Sequence, residues 1–213
     1  IFHPTADMAP GVVSGYGDVI AAYRETLPEH TRTLFDRFHF FDLAFKVVGV
    51  GSVGTVSAIG LFLAADDDPL FLQIKEARAS VLEPYAGKSV HANHGQRVVA
   101  GQRLMQSASD VFLGWTRGTS GRDVYIRQLR DIKISIRVET FGAEEMNLYA
   151  QWCGQALALS HARSGDPALI SGYLGKSDVF DQALAAFSIA YADQNEKDHA
   201  AFKRTISGGK VKA

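Results

Sequence analysis

KVVGVGSVGT, residues 46–55, sets Gly49, Gly51 and Gly54 at GxGxxG spacing behind a run of β-branched residues. That spacing serves several unrelated folds, so the residues after it decide between them. A dinucleotide-binding fold needs the last glycine to open a helix whose N-terminus holds a pyrophosphate. Here TVSAIGLFLA (55–64) is β-branched and apolar, ends in the turn cluster ADDDP (65–69), and leads into a second strand-like run, LFLQIKEA (70–77). No GK[ST] closes the loop, which removes the Walker alternative.

Upstream, FDLAFKVVGVG alternates and reads as a strand entering the glycines. The order strand, glycine loop, strand, turn, strand describes an antiparallel ribbon folded over a nucleotide from above. Protein kinases use this arrangement, with a lysine on the third strand reaching the α- and β-phosphates. Lys75 occupies that place. Next, residues 93–110 set Val98, Leu104, Met105 and Ala108 near helical spacing, which predicts a helix packed on the sheet. VFLGWTRGTSGRDVYIRQL (111–129) reads as a hairpin around GTSG. Five strands and one helix make a small nucleotide-holding lobe.

The flanks are helical. Asp18 is the expected cap of a helix through VIAAYRETL, and Pro28 separates it from a second helix near TRTLFDRF. Beyond Phe141, AEEMNLYAQWCGQALALSHARSG places Met146, Tyr149, Cys153 and Leu157 along one stripe, with Gly165, Asp166 and Pro167 as its stop. A last helix is expected from Ser177 or Asp178 to Gly208. The expected division is 1–40 as a helical lead-in, 41–131 as the antiparallel lobe and 132–213 as a helical segment.

Bulk composition excludes little. With 46% hydrophobic residues, 21% charged residues and a net charge of -1, there is no general case for nucleic-acid or membrane-surface binding. VSAIGLFLAA (56–65) is about half the roughly 20 residues of a membrane-spanning helix. The lone cysteine, Cys153, excludes an internal disulfide and is expected as a buried thiol in a reducing, cytoplasmic setting. Trp115 and Trp152 are expected to serve packing. The start, IFHPTADMAPG, has no signal-peptide pattern and no initiator Met, so a piece of a longer protein is expected.

Several blocks, among them KVVGVGSVGT, LFLQIKEA, LEPY, NHGQRVV, GQRLMQSASDVFLGW, YIRQLRD and HARSGDPALISGYLGKSDVFD, together resemble the bacterial family called domain of unknown function 2252 over about residues 18–206. The resemblance is to the C-terminal half of such proteins. Their other half carries GDxHxxNFG-like and DFD-like blocks similar to the catalytic loop and metal-binding aspartate of aminoglycoside phosphotransferases and kinases. It implies an α+β kinase-like fold with permuted segment order, in which this chain supplies the nucleotide lobe. ATP and Mg²⁺ are the implied ligands, the phosphate acceptor is unknown, and the metal ligands and general base are expected in the other half. The fragment alone is then expected to be inactive.

Within this chain the expected phosphate cradle is Gly49, Gly51, Ser52, Val53 and Gly54, with the backbone N–H groups of Ser52, Val53 and Gly54 approaching the phosphates where bulky side chains are absent, and Lys75 is the expected clamp. The bland alternatives are a bulged hairpin and a lysine that is exposed or paired with Asp66, Asp67 or Asp68. Kinases hold this lysine with a helix carboxylate, yet the expected helix offers Gln96, Ala100 and Gln102 and no acid, leaving Glu76 or Glu83 as poor substitutes. Gln73 stands where a small residue usually covers adenine. Arg127, Arg130 and Asp131 serve a substrate or an ion-pair network. His161 and Asp166 in HARSGD are weaker catalytic candidates, since a helix terminus explains them. His91 and His94 lack a third metal ligand. Two rivals stand beside the kinase reading: a nucleotide-binding pseudoenzyme, and a structural or interaction protein that has kept the fold.

Overall fold

The computed structural model describes residues 11–46, 54–65, 68–130 and 135–209. The chain forms two compact units, Ile1–Ser164 and Gly165–Ala213.

The first unit is α+β. Helices α1 (Gly11–Glu25) and α2 (Glu29–Phe35) precede strands β1 (His39–Phe45), β2 (Ser57–Leu63) and β3 (Pro69–Glu76). A short helix α3 (Glu83–Ala86), helix α4 (His94–Met105), strands β4 (Gly114–Arg117) and β5 (Asp123–Gln128), and helix α5 (Ala143–Ser164) follow. The five strands form one sheet in the order β1-β2-β3-β5-β4, every pairing antiparallel. This is the five-stranded antiparallel sheet expected from the alternating runs, and the β4–β5 hairpin turns at GTSG with Gly121 at φ +76°.

Alternation along β3 sorts the two faces. Leu70 and Leu72 are buried with Phe62, Val124 and Ile126 under Tyr23 of α1, Phe35 of α2 and Leu27 of the turn between them. Each such large apolar side chain contributes about 1.5–3 kcal/mol on burial. The Tyr23 hydroxyl donates to the Phe112 carbonyl at 2.6 Å, and Arg24 clasps Asp36 with two hydrogen bonds of 2.5 and 2.6 Å, joining α1 to the end of α2. Gln73 and Lys75 project from the other face.

Helix α1 begins at Gly11, so Asp18 lies inside it and caps nothing. Helix α4 starts where Asn93 accepts a hydrogen bond from the Gln96 N–H. Its buried face runs through Gly95 and Val99, while Leu104 and Met105 are about half exposed, so the contact stripe is one residue out of phase with the expected Val98. Gly95 sets that phase: a Cβ there would lie 2.2 Å from the Val124 carbonyl oxygen, so helix backbone rests directly on β5 backbone.

Helix α5 forms as expected, but Ser160 is its one buried residue among those described. Cys153 is exposed and Trp152 is 59% exposed, against the expectation of a buried thiol and a packing tryptophan. Helical spacing tells which side chains share a face; whether another element covers that face is a separate fact. Trp115 does pack, with the Arg103 guanidinium over its ring at 5.9 Å.

The second unit consists of α6 (Pro167–Leu174) and α7 (Val179–Ser207), with Tyr173 edge-on to Phe180 and Phe187 stacked on Tyr191. Helix α6 was not expected, because Asp166-Pro167 reads equally as the stop of α5 and the start of a new helix. No helix among the described residues is long and apolar enough to cross a membrane.

Gly95→Ala is expected to destabilise the protein by about 2–3 kcal/mol, because backbone must move. Gly101→Ala, in the same helix with open space around it, should stabilise by about 0.5–1 kcal/mol. Urea denaturation of the two variants checks the contrast.

Candidate functional site

The β1–β2 connection carries the glycines. Gly49, Gly51, Ser52 and Val53 lie outside the described residues. On the described flanks the Lys46 N–H donates to the Ser57 carbonyl at 3.0 Å. Gly54 has φ +80°, a conformation that favours glycine, and β2 begins three residues later in the antiparallel direction. No helix opens behind the loop.

Glu76 anchors the exit of that loop. Its carboxylate accepts from the Val56 N–H at 2.8 Å and from Arg78 Nε at 2.9 Å, and Arg122 approaches it at 3.4 Å. The Val56 carbonyl in turn accepts from the Glu76 N–H, and Arg78 also donates to the Gly54 carbonyl. The hydrogen bond from Arg78, then that from Val56, holds the Glu76 carboxyl below its ordinary range. With its side chain 8% exposed and these partners in place, Glu76 is a loop anchor rather than a counter-ion for Lys75.

Lys75 pairs across β3 with Ser57 on β2 and Tyr125 on β5. Gln73, Tyr125 and Arg127 share its face by register. Arg127 donates from Nε and Nη2 to Gln73 Oε1 at 3.2 and 3.1 Å, so one guanidinium is held by a neutral amide. Burial, and then the charge of Arg127, pull the Lys75 ammonium below the ordinary lysine range. Among the described residues neither Lys75 nor Arg127 makes an ion pair. Asp68 sits at the far end of the β2–β3 hairpin, on the order of 20 Å along the strand, while Asp66 and Asp67 are outside the described residues. Ser57 is 6% exposed and its Oγ has no hydrogen-bond partner among the described residues. Further along the same face lie Ile59 and Leu61 on β2, the latter opposite Phe71, which is 42% exposed.

Helix α4 follows β3 but brings no carboxylate to Lys75. Its start is tied to the sheet by Asp123, which accepts from the His94 N–H at 2.9 Å, from Asn93 Nδ2 at 3.0 Å and from Arg117 Nε at 2.9 Å. Burial works against the charge of Asp123, yet these hydrogen bonds hold its carboxyl below the usual range. His94 and Asn93 thus belong to a helix start. No group of three His, Cys, Asp or Glu side chains that could hold a metal ion occurs among the described residues. Asp166 caps α6 by accepting from the Ala168 and Leu169 N–H groups at 2.9 and 3.0 Å, and His161 is an exposed residue in the last turn of α5. Arg130 is exposed, and Asp131 is outside the described residues.

Arg127 was legible as a charge, but not as the neighbour of Gln73 and Lys75. Its partner lies 54 residues away, and only the β3–β5 register brings them together.

Glu76→Gln should loosen the loop exit and cost about 1–2 kcal/mol at neutral pH. A carboxyl depressed in the folded state stabilises above its unfolded pKa, and that contribution is lost as pH falls through the folded value. The stability gap between wild type and variant should therefore hold steady from about pH 5 to 8 and close only below about pH 4. Thermal unfolding across that range measures it.

No curated protein and no solved structure matches the chain. The family described as "Uncharacterized protein conserved in bacteria (DUF2252)" matches residues 12–205. That match covers most of the sequence, and the chain belongs to this family.

Proposed function

We propose that the Lys75 face of the sheet binds a nucleotide, ATP in the first instance, and that this chain is the nucleotide lobe of a kinase-like phosphotransferase with permuted segment order. The observation that carries the proposal is the pair of cations without carboxylate partners, Lys75 and Arg127, beside the unpartnered Oγ of Ser57 at the glycine-loop end of β2 and β3. A partly buried cation next to another cation is unfavourable until an anion joins them. Along the same strands the face turns apolar at Ile59, Leu61 and Phe71. Phosphates near Gly54 and Lys75, with a flat base toward Ile59, match that gradient.

Each residue then has a role. Backbone N–H groups of the glycine loop approach the phosphates, Gly54 supplies the turn, and Lys75 neutralises phosphate charge. Arg127 fixes the Gln73 amide and adds a second cation. Among the described residues there is no ligand set for Mg²⁺, and the general base and metal ligands would come from the other half of such proteins. A second reading, nucleotide binding without turnover, is favoured by the lack of any acid on α4.

In a thermal-shift titration, ATP at 100 times its Kd should add about 2.7 kcal/mol to stability. Lys75→Met should remove most of that shift. It should not lower the melting temperature of the free protein, because a lysine whose pKa is depressed on folding opposes folding at neutral pH. Raising the pH through that depressed value should weaken ATP binding in the wild type and leave the variant unaffected. Absence of any shift with ATP, with and without Mg²⁺, would exclude both nucleotide readings. A shift without γ-phosphate loss in the full-length protein would select the second.

A further inference from the structure

We infer that the sheet carries a second binding site on the face away from Lys75: an apolar cavity between α1 and the strands that takes one small aromatic or branched aliphatic molecule. Strand alternation puts Leu72 and Ile74 on this side while Gln73 and Lys75 face the other. The cavity measures about 140 Å³. It opens partly to solvent, and an apolar space of about 150 Å³ is large enough to admit benzene.

Its walls are Val19, Ile20 and Tyr23 of α1 and, from the sheet, Ala58, Leu72 and Ile74 with neighbouring aromatic rings. The polar atoms nearby are already committed: the Tyr23 hydroxyl donates to the Phe112 carbonyl at 2.6 Å, and Thr116 Oγ1 donates to the Val19 carbonyl at 3.3 Å. Water inside would therefore find few of the two to four partners it needs. The other polar lining comes from the β4–β5 turn, where Thr119, Ser120 and Arg122 contribute. The side chain of Arg122 is 50% exposed and marks the solvent side, so a ligand with a single polar or anionic group would direct it there.

An occupant touches the reverse side of the strand that bears Lys75. It also touches Val56, where the glycine connection re-enters the sheet and where Glu76 holds the backbone. The inference does not depend on what binds the opposite face.

The full chain, ¹³C-labelled at Ala, Ile, Leu and Val methyls, is titrated with toluene and, separately, with indole. The expected result is saturable shifts at Ala58, Leu72 and Ile74, with Leu169 and Leu184 of the second unit unmoved. Ala58→Leu from the sheet side and Val19→Phe from the helix side fill the cavity, and each should weaken toluene binding at least tenfold. Should one variant fail to fold, the other decides. The inference is overturned if the wall methyls show no saturable shift, if the shifts fall on Leu169 and Leu184 instead, or if binding survives in a folded, filled variant.

Discussion

The register of β3 between β2 and β5 constrains everything else in the first unit. Leu72, 1% exposed, must lie beneath α1 and α2, and because side chains alternate along a strand, Gln73 and Lys75 are then committed to the opposite face. A slip of one residue would bring an ammonium group under Tyr23 and expel two large apolar side chains, a change of several kcal/mol against folding. The core thus determines where the cations stand. The cations themselves contribute nothing to that decision and, lying beside each other without a carboxylate partner, slightly oppose it.

Around this strand the supporting contacts divide by task. Glu76, one residue past Lys75 and therefore on the other side, gathers Val56, Arg78 and Arg122 and fixes the point where the glycine connection returns to the sheet. Asp123 does the same for the start of α4 through His94 and Asn93. Both carboxylates are depressed below their ordinary range, yet their partners are structural. Depressed acids here mark joints of the fold, whereas among the described residues Lys75 and Arg127 make no ion pair and the Ser57 Oγ has no hydrogen-bond partner.

The strands were legible because their signal is local: β-branched alternation in FDLAF and TVSAIGLFLA, a turn cluster at ADDDP, and GTSG between two short runs. The place of Lys75 on the third strand was legible for the same reason, as a fixed step along a ribbon whose direction the missing helix after Gly54 had set. What failed depended on distant neighbours. Val99 rather than Val98 is buried because Gly95 meets β5 backbone. Cys153 and Trp152 are exposed because amphipathic spacing says nothing about what covers a face. Asp166-Pro167 carries both a stop and a start signal, and only the start was missed. The cavity behind Ile74, and the meeting of Arg127 with Gln73, exist only once the register is known.

The central claim is that a nucleotide lies against the Lys75 face. Methyl NMR of the labelled chain titrated with ATP tests it most directly, since Ile59 and Leu61 line that face while Leu72 and Ile74 face the cavity. The account predicts saturable shifts concentrated at Ile59 and Leu61 and lost in Lys75→Met. Equal or larger shifts confined to the cavity side, or no saturable shift on either face, would contradict it.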